Sequence, residues 1–294
     1  MKIKLVKILP IFLKKILKKI FFKFDNYFYK VKNYIFSISL IFYKEGINIG
    51  SGKKFNLLFW KNYDNFYGHN IDEKFKLNYK DNVFHLFFSS HFIEHINDKT
   101  FVNLSSEVFR VLKKGGIFRI LTPNFDLLKK VYQEKDSNFI INIDSDFFIK
   151  GMPGWIEMGI KPTFNSWICH WFANYSNVPI FKHSTYKKFY ILPPIIDDQV
   201  LFKKSLELST EDFSKFILSH VPQEYKNNGG HINCFTFDKL VRILNKIGFD
   251  TYLSSYNDKD SDKKISKYYE RLLNNLDKTH GRREISLYVN AFKK

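Results

Sequence analysis

The strongest structural signal in the chain is 81-DNVFHLFFSSHFIEHINDKTFVNLSSEVFRVLKKGGIFRILTPN-124. Within it, 83-VFHLFFSS-90 is an apolar run too short for a helix, which predicts a buried strand. Apolar residues then recur at helical spacing from Lys99 to Leu112, and Gly115-Gly116 is a strong stop signal for that helix. The run 117-IFRILTP-123 predicts another strand. This alternation indicates an α/β fold, with a parallel sheet covered by helices on both faces.

Similar signals lie upstream. The run 47-INIG-50 predicts a short buried strand that leads into the loop Gly50-Ser51-Gly52. We predict that a second strand ends at 60-WKNYD-64 and that a third lies near 66-FYGHNI-71. The strand at 83–90 is then the fourth.

Downstream, the alternation stops at residue 125 and resumes after residue 230. The segment 235-FTFDKLVRILNKIGF-249 predicts an amphipathic helix that ends at Gly248, and 285-ISLYVNAF-292 predicts a final strand. Residues 125–230 carry Pro, Trp and Asp clusters without a clean period. We interpret them as an insertion into one α/β domain, 45–294, where they cap a site at the carboxyl ends of the strands.

Composition and charge limit the classes of protein to which the chain can belong. The chain has 294 residues, of which 45% are hydrophobic, so it is not disordered as a whole. Two cysteines, Cys169 and Cys234, exclude a disulfide framework and a four-thiolate zinc site, which favours a reducing compartment. The 47 Lys and Arg outnumber the 29 Asp and Glu, for a formal net charge of +18.

The basic excess is concentrated at the N-terminus, in the segment 1–44. Residues 1–32 contain ten Lys and one acid, Asp25. In 11-IFLKKILKKIFFKF-24 the apolar residues lie on one helical face and the lysines on the other. The stretch is too short to span a bilayer and lacks a signal-peptide cleavage site. We predict a helix in the interface of an anionic membrane; the alternative is a helix packed on its own domain.

The first loop carries the clearest ligand-binding pattern. Gly50 and Gly52 flank Ser51 directly after a buried strand, so the backbone can approach a ligand closely, and a following helix offers its free N–H groups. Asp64 ends the next strand, where a carboxylate can accept both hydroxyls of a ribose. Two glycines alone are a weak signal, and the missing third glycine disfavours a dinucleotide site.

Several segments together resemble the class I S-adenosylmethionine-dependent methyltransferases, in particular the group with an SSHxxEH motif after the fourth strand. The resemblance covers roughly residues 45–124 and 231–293. It is carried by INIGSG (47–52), WKNYD (60–64), DNVFHLFFSSHFIEHI (81–96), EVFRVLKKGGIFRILTPN (107–124) and HINCFTFDKLVRILNKIGF (231–249).

The resemblance implies a Rossmann-like fold, S-adenosyl-L-methionine as the cofactor, and a role for each matching residue. Gly50 and Gly52, with Ser51 between them, meet the methionyl part, and Asp64 meets the ribose. Asn70 lies in 69–71 beside the adenine. The methyl-donor end is lined by Ser89, Ser90 and His91. Four residues depart from the family pattern: Asn70, His85 and Asn124 stand where it usually has Asp, and Lys114 stands where it usually has Pro.

The segment 91-HFIEH-95 also fits H-x-x-E-H, the inverted zinc-protease motif. A zinc site requires His91 and His95 on one helix face, with Glu94 activating water. Because the segment follows a strand ending in Ser-Ser, among other methyltransferase-like motifs, we predict no metal site. Glu94 and His95 are then expected to form hydrogen bonds beneath the cofactor.

Methyl transfer needs a base only when the acceptor is a hydroxyl group, and His91 is then the best-placed candidate, with His231 second. His231 also fits a loop histidine bonded to backbone. Asp197 and Asp198 suit a polar acceptor or a solvated turn. Three tryptophans of the insertion could stack on a sugar ring or pack the cap. They are Trp155, Trp167 and Trp171.

We expect a cytoplasmic enzyme, peripheral on the inner face of the membrane, that methylates a cell-surface glycan or a lipid-linked sugar. Two alternatives stay open. The charge of +18 suits nucleic-acid binding or RNA methylation, although the lysine excess lies mainly in one amphipathic stretch. The departures at Asn70 and His85 suit a catalytically inactive cofactor-binding fold.

Overall fold

The computed structural model describes residues 46–52, 57, 60–64, 68–144, 161–175, 177, 180–182, 189–191, 194–226, 230–256, 276–277 and 284–294. By internal contacts the chain divides into two units, Met1–Lys44 with Leu57–Trp60, and Glu45–Asn56 with Lys61–Lys294. The architecture below is that of the second unit.

A six-stranded sheet forms the centre of this unit. In chain order its strands are β1 (Gly46–Ile49), β2 (Lys61–Tyr63), β3 (Phe84–Ser90), β4 (Leu112–Pro123), β7 (Phe249–Ser254) and β8 (Ser286–Lys293). They lie in the order β2-β1-β3-β4-β8-β7. The first four are mutually parallel, whereas β8 is antiparallel to both β4 and β7. The fold is therefore Rossmann-like, as predicted, but its sheet is mixed rather than wholly parallel.

The prediction of a third strand near 66-FYGHNI-71 is wrong for its described part. Residues 68–71 form no strand. Gly68 has a φ of +77°, and the His69 amide donates to the Asp64 carbonyl over 3.2 Å, so the chain turns directly after β2. Among the described residues, the strand at Phe84–Ser90 is consequently the third and not the fourth.

Two helices pack together along one face of the sheet, α1 (Asp98–Val111) and α8 (Phe237–Ile247). Each begins at a polar cap, since Asn97 accepts from the Thr100 amide and Thr236 from the Lys239 amide. Such caps satisfy backbone donors that have no partner within the helix. The opposite face is buried too: Leu86, Phe88 and Leu121 are at most 2% exposed.

The described helices within 125–230 pack around a second hydrophobic core, which Cys234 and Ile285 also join. The insertion contains α2 (Phe125–Glu134), α3 (Ser137–Ile143), α4 (Phe164–Ala173), α5 (Asp198–Glu207), α6 (Thr210–His220), α7 (Gln223–Lys226) and the hairpin β5 (Ile180–Lys182) and β6 (Phe189–Ile191). Trp167 and Trp171 are buried in this core, and both indole N–H groups donate to Asp144 over 3.0 Å. They pack the insertion and are not exposed for stacking on a sugar.

Some sequence predictions lie outside the described residues: the N-terminal helix, the helix expected directly after Gly52, and Trp155. In the part of the chain that the structure describes, no helix is long and apolar enough to cross a membrane.

Candidate active site

The carboxyl ends of three parallel strands meet at one edge of the sheet. Ile49 of β1 is in register with Tyr63 of β2 and with Ser89 of β3. The Gly50–Gly52 loop, which follows β1, therefore lies beside Asp64 and next to the end of β3. This edge is where open α/β sheets bind ligands.

The loop is held by hydrogen bonds to the end of β2. The Gly50 amide donates to the Tyr63 carbonyl over 2.8 Å, and the Gly52 amide donates to Oδ2 of Asp64 over 3.1 Å. Both glycines are left-handed, with φ of +75° and +51°. The predicted residues Gly50, Gly52 and Asp64 are thus brought together, and Asp64 has a structural role that the sequence did not reveal.

Phe92 packs against this loop, a contact that sequence reasoning missed. A Cβ atom added to Gly50 would overlap the Phe92 side chain. A Cβ atom on Gly52 would meet no atom of the described residues within 4 Å. One side of the loop is therefore closed by an aromatic ring, and the side at Gly52 is open.

Three buried polar atoms at this edge form no hydrogen bond within the described structure: Ser51 Oγ, Ser89 Oγ and His69 Nδ1. Ser51 is 1% exposed and Ser89 is fully buried. A buried hydroxyl without a partner costs about 1–3 kcal/mol, so these groups fit a site that a polar ligand completes. Ser51 and Ser89 belong to the set predicted from the sequence.

The turn after β2 supplies an aromatic group beside the loop. The rings of Tyr63 and His69 lie 4.5 Å apart, tilted by 45°. Asn70 is exposed, and its side chain donates to Asp72 over 2.7 Å. Its predicted contact with a bound adenine stays a prediction.

His91 follows Ser90 and adopts a conformation rare for a residue with a side chain, with a φ of +49°. Such conformations cluster at functional sites. Its Nδ1 lies 3.3 Å from Oε1 of Glu94, and its Nε2 lies 2.9 Å from the Ser286 hydroxyl. With the side chain 22% exposed, the imidazole is oriented at both nitrogens yet remains accessible.

Glu94 is fully buried beneath His91 and accepts a hydrogen bond from Thr122 over 3.2 Å. Burial is the largest influence on its pKa and raises it. The hydrogen bond from His91 and the charges of His91, His231 and His95 together outweigh burial and lower the Glu94 pKa to about 2. The carboxyl group is therefore ionised at neutral pH and can orient a neighbouring imidazole.

The two histidines of the H-x-x-E-H segment point to different partners. Ile93–His95 is a single 3-10 turn that excludes His91, so the two histidines do not share a helix face. Nδ1 of His95 lies 3.1 Å from the Gly230 carbonyl, and its ring lies 4.8 Å from that of His231. The zinc arrangement weighed for His91 and His95 is not formed.

His231 and the acidic pair of the insertion have local roles. Nδ1 of His231 lies 2.7 Å from the Trp171 carbonyl, which agrees with a loop histidine bonded to backbone. Burial, the main cause, lowers its pKa to about 4. Asp197 caps α5 by accepting from the Gln199 and Val200 amides, and Asp198 begins that helix. Both acids are exposed, as in a solvated turn.

Comparison with known proteins agrees with this architecture. Residues 65–120 match the model of a family described as a methyltransferase domain. The sheet and this match together indicate a methyltransferase-type α/β domain. No curated protein matches the sequence.

Solved structures with a similar course of the chain include S-adenosylmethionine-dependent methyltransferases from Mesorhizobium loti (12% identity, 85% of this chain and 90% of the other, TM-score 0.34) and Archaeoglobus fulgidus (13%, 89% and 94%, 0.34). A phosphoethanolamine N-methyltransferase from Haemonchus contortus, solved with S-adenosyl-L-methionine, is 13% identical over 84% of this chain and 48% of its own, with a TM-score of 0.31. The fold assignment rests on the strand order and register described above.

Proposed function

We propose that the protein transfers a methyl group from S-adenosyl-L-methionine. The observation that carries the proposal is the left-handed Gly50–Ser51–Gly52 loop, tied to Asp64 where the carboxyl ends of β1 and β2 meet. The match of residues 65–120 to a methyltransferase family supports it.

The residues at this edge suit the parts of that cofactor. The Gly52 side of the loop leaves room for close approach, and the Asp64 carboxylate suits the ribose hydroxyls. The unpartnered hydroxyls of Ser51 and Ser89 suit the charged methionyl end. The cofactor supplies a methyl group on a positively charged sulfur, so the protein has to position the acceptor and, for a hydroxyl acceptor, remove a proton.

His91 is placed to receive that proton. It directly follows β3, and the ionised carboxylate of Glu94 lies 3.3 Å from its Nδ1. A carboxylate at this position stabilises the imidazolium that forms when the base takes a proton. In this proposal Glu94 acts through His91 and does not touch the acceptor.

We further propose that the acceptor is a hydroxyl of a cell-surface glycan or a lipid-linked sugar. The support is the placement of His91, which a hydroxyl acceptor requires, and the basic amphipathic segment 1–32. The insertion also begins at Phe125, directly after the carboxyl end of β4, so it emerges at the same edge as the site. Trp167 and Trp171 contribute nothing to this part of the proposal, because both are buried.

Calorimetric titration with S-adenosyl-L-methionine tests the cofactor. We expect binding by the wild type and a loss of about 1.5–3 kcal/mol in Asp64→Asn, since ribose hydroxyls then lack a charged partner. Asp250→Asn is the matched control, because Asp250 lies on β7 at the far edge of the sheet. Absent wild-type binding, or equal binding by Asp64→Asn and the control, contradicts the proposal.

Transfer of a labelled methyl group tests the acceptor. Lipid-linked sugars and total RNA are offered separately to wild type and to His91→Gln. Label in the sugar fraction that depends on His91 is the expected result. Label in RNA alone overturns the sugar proposal and favours the nucleic-acid alternative.

A further inference from the structure

A second cluster of ligand-type side chains lies beside the proposed methyl-transfer site. Among the described residues, one group of three combines histidine and carboxylate ligand atoms at short range: Glu94, His95 and His231, whose ligand atoms all lie within 4.8 Å of one another. We propose that this trio binds a divalent transition-metal ion of the zinc type. The inference departs from the sequence prediction of no metal site.

Both imidazoles are arranged as metal-binding histidines usually are. Nδ1 of His95 faces the Gly230 carbonyl and Nδ1 of His231 faces the Trp171 carbonyl, at 3.1 and 2.7 Å. Because a carbonyl oxygen can only accept, each Nδ1 carries the proton and each Nε2 keeps its lone pair. Metal-binding histidines commonly donate one ring N–H to a backbone carbonyl and bind the metal through the other nitrogen.

The carboxylate of Glu94 supplies the third ligand, and its burial favours binding of a cation. Oε2 of Glu94 accepts from Thr122, Oε1 lies 3.3 Å from Nδ1 of His91, and the residue is fully buried. A buried carboxylate is costly unless its charge is compensated, and a bound cation compensates it directly.

The backbone already holds the two contributing segments together. The Glu94 carbonyl accepts from the Ile232 and Asn233 amides over 3.0 and 3.2 Å. Ligands about 2.0–2.2 Å from a tetrahedral zinc ion lie roughly 3.4 Å apart, so the most distant ligand atoms have to approach by up to about 1.4 Å. Two nitrogens and one oxygen suit zinc, and three protein ligands leave one position open.

The site is tested by metal binding to the untagged full chain, stripped with a chelator. We expect Zn²⁺ to bind at one equivalent per chain by calorimetry and elemental analysis, and Co²⁺ to give visible absorption bands of a nitrogen-ligated site. His231→Asn keeps a donor for the Trp171 carbonyl but lacks Nε2, and His95→Asn does the same at Gly230. Each should weaken Zn²⁺ binding by at least ~10-fold.

His85→Asn and His220→Asn are the matched controls, because both histidines lie outside the trio. Circular dichroism confirms that each variant is folded. The proposal is overturned if the wild type binds less than one equivalent, or if His95→Asn and His231→Asn bind Zn²⁺ as the controls do. Binding of S-adenosyl-L-methionine, measured on the same samples, separates failure of this site from failure of the proposed function.

Discussion

Gly50 and Gly52 share a left-handed backbone but differ in their surroundings, which gives a prediction at the scale of single residues. Alanine at either position costs about 1–2 kcal/mol for the left-handed conformation. At Gly50 the new Cβ also overlaps Phe92, and such overpacking typically costs about 1–3 kcal/mol more. Urea unfolding should therefore show a larger loss for Gly50→Ala than for Gly52→Ala.

The double variant Gly50→Ala/Phe92→Ala identifies the cause of that difference. Because the Phe92 ring is absent, the new Cβ meets no overlap in the double variant. Its loss of unfolding free energy should therefore be smaller than the sum of the losses in the two single variants. Gly68→Ala serves as the control, because Gly68 has a φ of +77° and no atom of the described residues lies within 4 Å of a Cβ there. Equal losses at Gly50 and Gly52, with additive behaviour in the double variant, contradict the packing described for Phe92.

Single residues also show how far sequence reasoning reaches at the site. The spacing of Gly50, Gly52 and Asp64 sufficed to place them together, because the carboxyl ends of parallel neighbours meet at one edge. The contact of Phe92 with Gly50 and the trio around Glu94 were not foreseen. Both depend on side-chain directions after β3, where the left-handed backbone of His91 turns the chain in a way that spacing does not encode.

At the scale of elements, a buried ion pair joins β4 and β8 to the helical residues 276–277. Arg119 is 2% exposed and Asp277 fully buried; Nη2 lies 2.5 Å from Oδ2, and Nη1 donates to Asn290 over 3.0 Å. Arg119→Met leaves a buried carboxylate without its cation, so we expect a loss of roughly 3–5 kcal/mol in the free energy of unfolding.

The double variant Arg119→Met/Asp277→Leu removes both charges and should recover much of that loss, because no unpaired charge remains buried. Denaturant titrations of the two single variants and the double variant give the comparison. If the double variant is less stable than either single one, packing rather than charge explains the pair.

An ion pair between the exposed Asp98, at the start of α1, and the buried Lys239 of α8 predicts a dependence of stability on pH. Oδ1 of Asp98 lies 2.7 Å from Nζ of Lys239. Burial raises the Asp98 pKa, but hydrogen bonds from Lys239 and Asn233 and the Lys239 charge outweigh burial and lower it below 3.8. A lowered pKa in the folded state means that the stabilisation is present above the unfolded pKa. It is lost as the pH falls through the folded pKa.

Asp98→Asn should therefore be less stable than the wild type at about pH 6, and the difference should shrink toward about pH 3. The Asp98 side chain is 59% exposed, so we expect at most about 1 kcal/mol. Asp238→Asn controls for the loss of an acid in a first helical turn, since Asp238 lies in the first turn of α8. A difference that persists unchanged at low pH contradicts the assignment.

Elements were predictable where local signals were strong. The helix expected at 99–112 is Asp98–Val111, and the one expected at 235–249 ends at Gly248. The strand β7 was missed, because only Gly248 separates Phe249–Ser254 from that helix. The antiparallel direction of β8 was also missed, since an apolar run does not show which neighbour it will pair with.

At the scale of the whole molecule, the described helices of the insertion bury their apolar residues in a core separate from that of the sheet. Its sequence showed no regular period because the helices are short and their aromatic residues pack together, as Phe125, Phe172 and Phe213 do. The insertion leaves the sheet after β4 and returns at His231, next to Glu94 and His95. The insertion therefore starts and returns at the edge of the sheet that also carries the proposed active site.

The last prediction concerns residues 1–32, which hold ten Lys and one acid. We expect them to hold the protein on anionic membrane, through burial of Leu13, Leu17 and their apolar neighbours and about 1 kcal/mol from each lysine near the surface before screening. Flotation with anionic liposomes should recover the full chain but not residues 33–294. High salt should weaken the recovery without abolishing it, since only the lysine contribution is screened.

Two further samples separate this prediction from its rival, a helix packed on its own domain. Replacing the four lysines at 14, 15, 18 and 19 by Gln should reduce flotation, because the attraction to anionic lipid is lost. The melting temperature should stay unchanged, because these charges are not part of a protein core. Truncation to 33–294 should also leave both the melting temperature and cofactor affinity unchanged. A full chain that ignores anionic liposomes, together with a truncated chain that melts several degrees earlier, shows that the segment packs on the protein instead.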